Sequence, residues 1–243
     1  MASLFNEILY RPLFNALVFL YQYISFHDLG IAIILLTIII RLILFPLFYK
    51  GAKDQAIMQR LAPKIKEIQQ NHKHDREKQS RAMMELYRQH KVNPFSGFLL
   101  LIVQLPILIA LYRVFLKGFS VETLNNLYSF IASPKNLSYS LLGLIDLSSK
   151  NIFIVGAAAA VQYVQGKLSI VKTNKSSGNL TSAEMMSRQM VYVGPILTIV
   201  FLYFLNLPSA VALYWLTTSA FSVIQQIIIN KRISKDFDGT TTR

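Results

Sequence analysis

The chain has 243 residues, a formal net charge of +13 and no cysteine; 53% of its residues are hydrophobic and only 15% are charged. Charged residues make up about 25% of an ordinary soluble domain, so this composition, with a mean hydropathy of +0.41, places the chain in a lipid bilayer. The missing cysteines exclude disulfides, thiolate metal sites and a nucleophilic thiol within these residues.

Residues 1–29 are apolar with polar interruptions and Pro12, a pattern that predicts a helix lying in the outer interface. They lack the charged n-region, compact apolar stretch and small-residue cleavage site of a cleavable signal. The first span follows at 30–49, and Arg41 sits inside its apolar run. At about 1.5 Å per residue, Arg41 lies roughly 16 Å from Gly30 and about 10 Å from Phe48, well inside a hydrocarbon core about 30 Å thick. A cation there costs on the order of 2.5–3.5 kcal/mol on insertion scales. No acidic residue falls within any apolar run to pair with it. Two readings remain: a polar cavity open to water, or snorkelling of the long side chain to the nearer interface.

Residues 50–94 are highly charged, with Ile57, Leu61, Ile65 and Ile68 at helical spacing, then His72 and His74 in a polar turn, then Met83, Met84, Leu86 and Tyr87. This predicts a helical hairpin, hinged at Gly51 and at Asn93-Pro94. Its Met-bearing stripe suits capture of varied apolar partners; packing of the hairpin on itself accounts for the same residues. The two histidines lack the carboxylate or cysteine companions of a metal site.

Residues 95–229 hold four further runs of spanning length, roughly 95–114, 152–170, 191–207 and 209–229. They leave a loop at 115–151 on one side and a loop at 171–190 on the other. Only about Leu207-Pro208-Ser209 separates the last two runs, so they are expected to pair tightly. Gln104, Gln162, Gln165, and Tyr214, Thr218, Ser222 and Gln225 beside Trp215 set neutral polar groups along the spans, as Thr37 does four residues before Arg41. If these faces converge on Arg41 they line an intramembrane groove; otherwise they are interhelical hydrogen bonds worth about 0.6 kcal/mol each.

Eleven Lys and Arg fall in the 49–94 loop, four in the loop after the third run and four in the basic tail 230–243, against four on the other side (Arg11, Lys117, Lys135 and Lys150). The positive-inside rule then puts the N-terminus outside and the C-terminus in the cytoplasm of a cell membrane, and the basic side attracts anionic lipid. No carboxylate pair, nucleophile elbow, metalloprotease helix or phosphate loop occurs, so neither catalytic residue nor cofactor is expected. A small solute or ion channel or carrier stays as the alternative, though a proton-coupled carrier needs an ionisable relay in the membrane and only Arg41 is there.

Several ordered motifs carry a resemblance: Thr37-Ile-Ile-Ile-Arg41 with Pro46-Leu47, Pro63-Lys-Ile, Met83-Met-Glu-Leu-Tyr87, Lys91-Val-Asn-Pro94, Gln104-Leu-Pro through Tyr112, and Leu207-Pro-Ser through Trp215 to Gln225-Gln226. From Gly30 to Arg232 the chain resembles the YidC membrane-protein insertases, relatives of the mitochondrial Oxa and chloroplast Alb proteins, in the small type without a large extracytoplasmic domain. The resemblance implies an all-α polytopic bundle of five spans with a cytoplasmic hairpin. It also implies a groove open to cytoplasm and lipid but closed outside, with Arg41 as its positive centre and Thr37, Gln104, Tyr214 and Trp215 on its walls. The implied substrates are nascent membrane proteins, in company with the Sec translocon. The short tail argues for weak ribosome contact, and a monomer is the expected unit.

Overall fold

The computed structural model describes residues 2–117, 121–134, 138–170 and 182–238. Residues 171–181 of the expected cytoplasmic loop, Lys135, and residues 239–243 of the tail lie outside the described residues.

A short helix α1 (Ala2–Phe5) runs through a π-turn (Asn6–Tyr10) into α2 (Arg11–Tyr23). The expected interfacial helix thus has a buried face: Phe14, Leu17, Val18 and Tyr21 join the main core, while Leu4, Ile8 and Tyr23 stay exposed. A turn with Phe26 and His27 at positive φ reverses the chain, and Asp28 caps the next helix by accepting the Ile31 N–H at 2.8 Å.

The first span is shorter than its apolar run. Helix α3 (Leu29–Ile43) ends at Leu44, and α4 (Phe45–Arg60) leaves at 69° to it. Pro46 explains the break, since a proline lacks the N–H that a continuing helix needs and suits the first turn of a new one. The first arm of the hairpin therefore begins at Phe45. It breaks again at Leu61, where Pro63 opens α5 (Ala62–Asn71); α6 (Arg76–Gln89) returns, capped by Asp75 through the Lys78 N–H at 3.0 Å. These helices close a small core of their own from Leu61, Leu86, Tyr87 and Val92.

Helix α7 (Ser96–Lys117) is long and apolar enough to cross a membrane. Beyond it, α8 (Val121–Leu124) and a two-stranded antiparallel ribbon, β1 (Ser140–Leu141) with β2 (Ile145–Asp146), pair Ser140 with Asp146 and Leu141 with Ile145. This segment is tied down over the bundle end. Asn15 accepts the Tyr128 N–H at 2.7 Å, Asp28 accepts the Leu142 N–H at 2.5 Å, and Ser209 donates N–H and Oγ to the Ser149 carbonyl.

Helices α9 (Ile152–Ser169) and α11 (Ser209–Asp238) also have spanning length and apolarity. Between them in sequence, α10 (Ser182–Ile199) continues through a π-turn (Val200–Phe204), and its apolar part, Val191–Phe204, is shorter than a full span. Three helices, or four with the bent α3–α4 pair counted as one span, thus pass the length and apolarity test among the described residues, against five expected. The expected tight pairing of the last two runs is also corrected. Helix α9 packs against both α10 and α11 and stands between them; α11 packs on α3 as well, and the turn after α10 reaches α11 where Phe201 meets Trp215, centroids 5.9 Å apart. Leu36, Leu111, Ala158, Leu202 and Val211 meet in the main core, whereas much of α7 exposes large apolar side chains suited to lipid.

Candidate functional site

Arg41 lies in the last turn of α3 and is only 7% exposed. The bend at Leu44 brings Phe48 of α4 beneath it, with the guanidinium carbon 4.2 Å from the ring centroid. None of the described carboxylates pairs with it; the ion pairs found, such as Arg81 with Glu77 and Arg88 with Glu85, are on exposed surfaces. Arginine does not shed its proton to escape burial, so neighbouring dipoles and an aromatic face must compensate the charge.

Those dipoles surround a cavity of about 180 Å³, polar and roomy enough to hold water. Arg41 comes to it from α3, Phe48, Ala52 and Gln55 from α4, Leu100 from α7, Gln165 and Ser169 from α9, and Ser222, Gln225 and Gln226 from α11. Among the described residues no acidic side chain lines it. Gln225 is 4% exposed and its Oε1 has no hydrogen-bond partner among the described residues, an acceptor that needs water or a ligand. Gln226 donates to Asn230 Oδ1 at 2.9 Å, and Asn230 donates to the Leu168 carbonyl at 2.7 Å, which ties α11 to the end of α9.

The residues singled out from sequence divide into three groups. Arg41, Gln165, Ser222 and Gln225 share the cavity wall. Tyr214 is buried within electrostatic reach of Arg41 and accepts a hydrogen bond from Gln104 Nε2, while Thr37, one turn before Arg41, gives its hydroxyl to the Ile33 carbonyl at 2.6 Å. Thr218 is half-buried one turn beyond Tyr214, and its carbonyl accepts the Ser222 hydroxyl at 3.0 Å. Gln162 and Trp215 form a separate junction: Gln162 Oε1 accepts from Trp215 Nε1 at 3.0 Å and from the Thr198 hydroxyl, joining α9, α10 and α11.

On the hairpin, Leu86 and Tyr87 are buried in its own core and Met83 packs against that core; Met84, 53% exposed, is the only one of the four predicted capture residues that faces out. The packing alternative holds for Leu86 and Tyr87, because three short helices with few apolar residues need those side chains to cohere. Phe48, Gln55 and Ser169 were not singled out from sequence, and Gln226 only within the Gln225-Gln226 motif. Phe48 reaches Arg41 only because the chain bends at Leu44, so helical spacing does not mark it; Gln55 and Ser169 read as ordinary surface residues.

Comparison with known proteins identifies the family. The family model described as 60Kd inner membrane protein matches residues 19–236. Relatives named membrane protein insertase YidC include one from Geobacter metallireducens, 33% identical over 228 residues, one from Geobacter sp. (strain M21), 36% identical over 226, and one from Campylobacter jejuni, 32% identical over 232. These alignments cover 93%, 92% and 96% of this chain but 38%, 37% and 39% of the relatives, so the chain spans under two fifths of their length. A helical membrane protein with this match over most of its length belongs to the 60Kd inner membrane protein family, the family of the YidC insertases.

Proposed function

We propose that the chain is a membrane-protein insertase and chaperone, with nascent or newly made membrane proteins as its substrates. The observation that carries the reading is the unpaired, buried Arg41 on a polar cavity lined from α3, α4, α9 and α11. A cation in a site of low dielectric attracts negative charge far more strongly than one in water, and amide and hydroxyl groups lower the desolvation cost of a polar tail.

The steps follow from these properties. The hairpin meets an incoming segment, with Met84 as its exposed apolar contact, and the segment's short polar or acidic tail enters the cavity beside Arg41. Thr37, Gln104, Tyr214 and Thr218 continue the polar path along the bundle, while Gln162 and Trp215 hold α9 and α11 in place. The apolar segment then moves sideways into lipid, and its transfer, about 25 cal/mol per Å² of apolar surface, drives the step without ATP. In this reading the chain works as a monomer in the cell membrane, N-terminus outside and C-terminus in the cytoplasm. The basic hairpin and tail contact anionic lipid and, weakly, the ribosome, and the Sec translocon is a partner.

Reconstitution tests it. Liposomes holding only this chain should integrate a small membrane protein with no added energy source and no gradient-driven solute flux. Solute flux with no integration would instead establish a channel or carrier.

A further inference from the structure

The hairpin leaves the bundle along α4 and returns at the start of α7, and one buried carboxylate joins the two. Asp54 is 5% exposed. Its Oδ2 accepts the Ser96 hydroxyl at 2.5 Å and the Asn93 N–H at 3.4 Å, partners 42 and 39 residues further along the chain. Asn93 in turn accepts the Phe95 N–H through its side chain at 2.9 Å, so the turn before α7 is wound around these groups. Ser96 is the first residue of α7, and the carboxylate therefore meets the amide end of that helix, where its dipole favours an anion.

One turn earlier on α4, Gly51 is buried and so close to Leu100 that a Cβ on it would lie 2.6 Å from Leu100 Cδ1. Leu100 also walls the Arg41 cavity, as do Ala52 and Gln55 of α4. The joint that fixes α4 on α7 thus fixes one side of that cavity. The two places read from sequence as hinges, Gly51 and Asn93-Pro94, are instead where the hairpin is held. An apolar interface gains nothing from a carboxylate at this point, since a buried charge is costly unless its hydrogen bonds are met.

We propose that Asp54 is a positioning residue for insertion: by binding Ser96 and the Asn93 amide it sets how the hairpin stands on the bundle, and with it the α4 wall of the Arg41 cavity. The proposal rests on the insertase reading given above. Because the outer part of the hairpin has its own core, loss of the joint moves it as a unit.

The chain contains no cysteine, so spin labels at Ser80 on α6 and Leu99 on α7, both exposed and outside the assigned contacts, report the hairpin angle by pulsed electron resonance in liposomes, alongside insertion of a small membrane protein. Asp54→Ala and Ser96→Ala should each broaden the distance distribution and slow insertion at least threefold. Ser96→Thr, which keeps the hydroxyl, should restore both. Where Asp54→Ala fails to accumulate, Ser96→Ala alone carries the test, because it removes one bond and leaves the carboxylate its amide partner. An unchanged distribution in the variants, with or without a lower unfolding temperature, overturns the proposal, as does a broadened distribution with full insertion. A parent chain that inserts nothing overturns the insertase reading, while the distances still report whether Asp54 sets the hairpin angle.

Discussion

The guanidinium of Arg41 stacks 4.2 Å above the ring of Phe48, and the two residues belong to helices that meet at 69°. The bend and the buried charge support each other: the break at Leu44 brings a π-face under a cation that none of the described carboxylates pairs with. A desolvated cation–π contact contributes about 2 kcal/mol. Phe48→Leu should therefore lower the unfolding temperature of the purified protein, and Phe48→Tyr, which keeps the ring, should not. Equal melting of Phe48→Leu and the parent would show that the ring carries no part of the charge.

Two glycines should respond with opposite sign. A Cβ on Gly30 would lie 2.4 Å from Leu141 Cδ1 and 3.0 Å from the Leu141 Cα, so backbone as well as side chain is in the way. Gly30→Ala should destabilise by about 1–3 kcal/mol, the usual cost of overpacking. Gly97 in α7 has nothing within 4 Å, and Gly97→Ala should stabilise by about 0.5–1 kcal/mol. Thermal unfolding of both variants decides it.

Hydrogen exchange should rank the chain in three levels. Amides of α9 and α11 should exchange slowest and those of α5 and α6 fastest, because the hairpin core of Leu61, Leu86, Tyr87 and Val92 is small and separate from the main one. The part of α4 between Gly51 and Ala56 should fall between, held by Asp54 and by the contact of Ala56 with Ile229. A hairpin as protected as the spans would count against a capture role.

Acid should loosen the start of α6. The Lys78 N–H at 3.0 Å, then the Lys78 ammonium at 3.1 Å, hold the Asp75 carboxyl below the usual carboxylate range. Its pKa is depressed on folding, so its contribution is present above the unfolded carboxylate value of about 3.9 and is lost as pH falls through the lower folded value. Protection at Glu77 and Lys78 should drop on acidification below about pH 4, and Asp75→Asn should remove that pH dependence. The same drop in the variant would assign it to another group.

How much of this was legible follows the physics of each signal. A lone charge in an apolar run is unmistakable, so Arg41 was found, and the apolar runs of α7, α9 and α11 located those helices. Length counting failed where a helix breaks: it carried the first span to residue 49, although Pro46 signals that α3 stops at Leu44. It also failed in the hairpin, where Pro63 signals the break at Leu61. Helical spacing put Met83, Met84, Leu86 and Tyr87 on one stripe and left capture and self-packing both open; that Leu86 and Tyr87 are the two that turn inward depends on the fold of the hairpin. Asp54 read as one more charge in a charged loop, and only the fold brings it to Ser96, 42 residues away.

Charge at position 41 is the centre of the account, and none of the described carboxylates stands ready for bidentate pairing, so the field should matter more than the guanidinium shape. The decisive measurement is insertion of two substrates, one with an acidic tail and one with a neutral tail, by parent, Arg41→Lys and Arg41→Ala at matched protein levels. Arg41→Lys should keep much of the activity, and Arg41→Ala should lose the acidic-tailed substrate while the neutral one is least affected and the protein still folds, since removing an unpaired buried charge relieves desolvation. Insertion of the acidic-tailed substrate by Arg41→Ala at the parental rate, or failure of that variant to accumulate, would make Arg41 a packing or topology residue and contradict the groove mechanism.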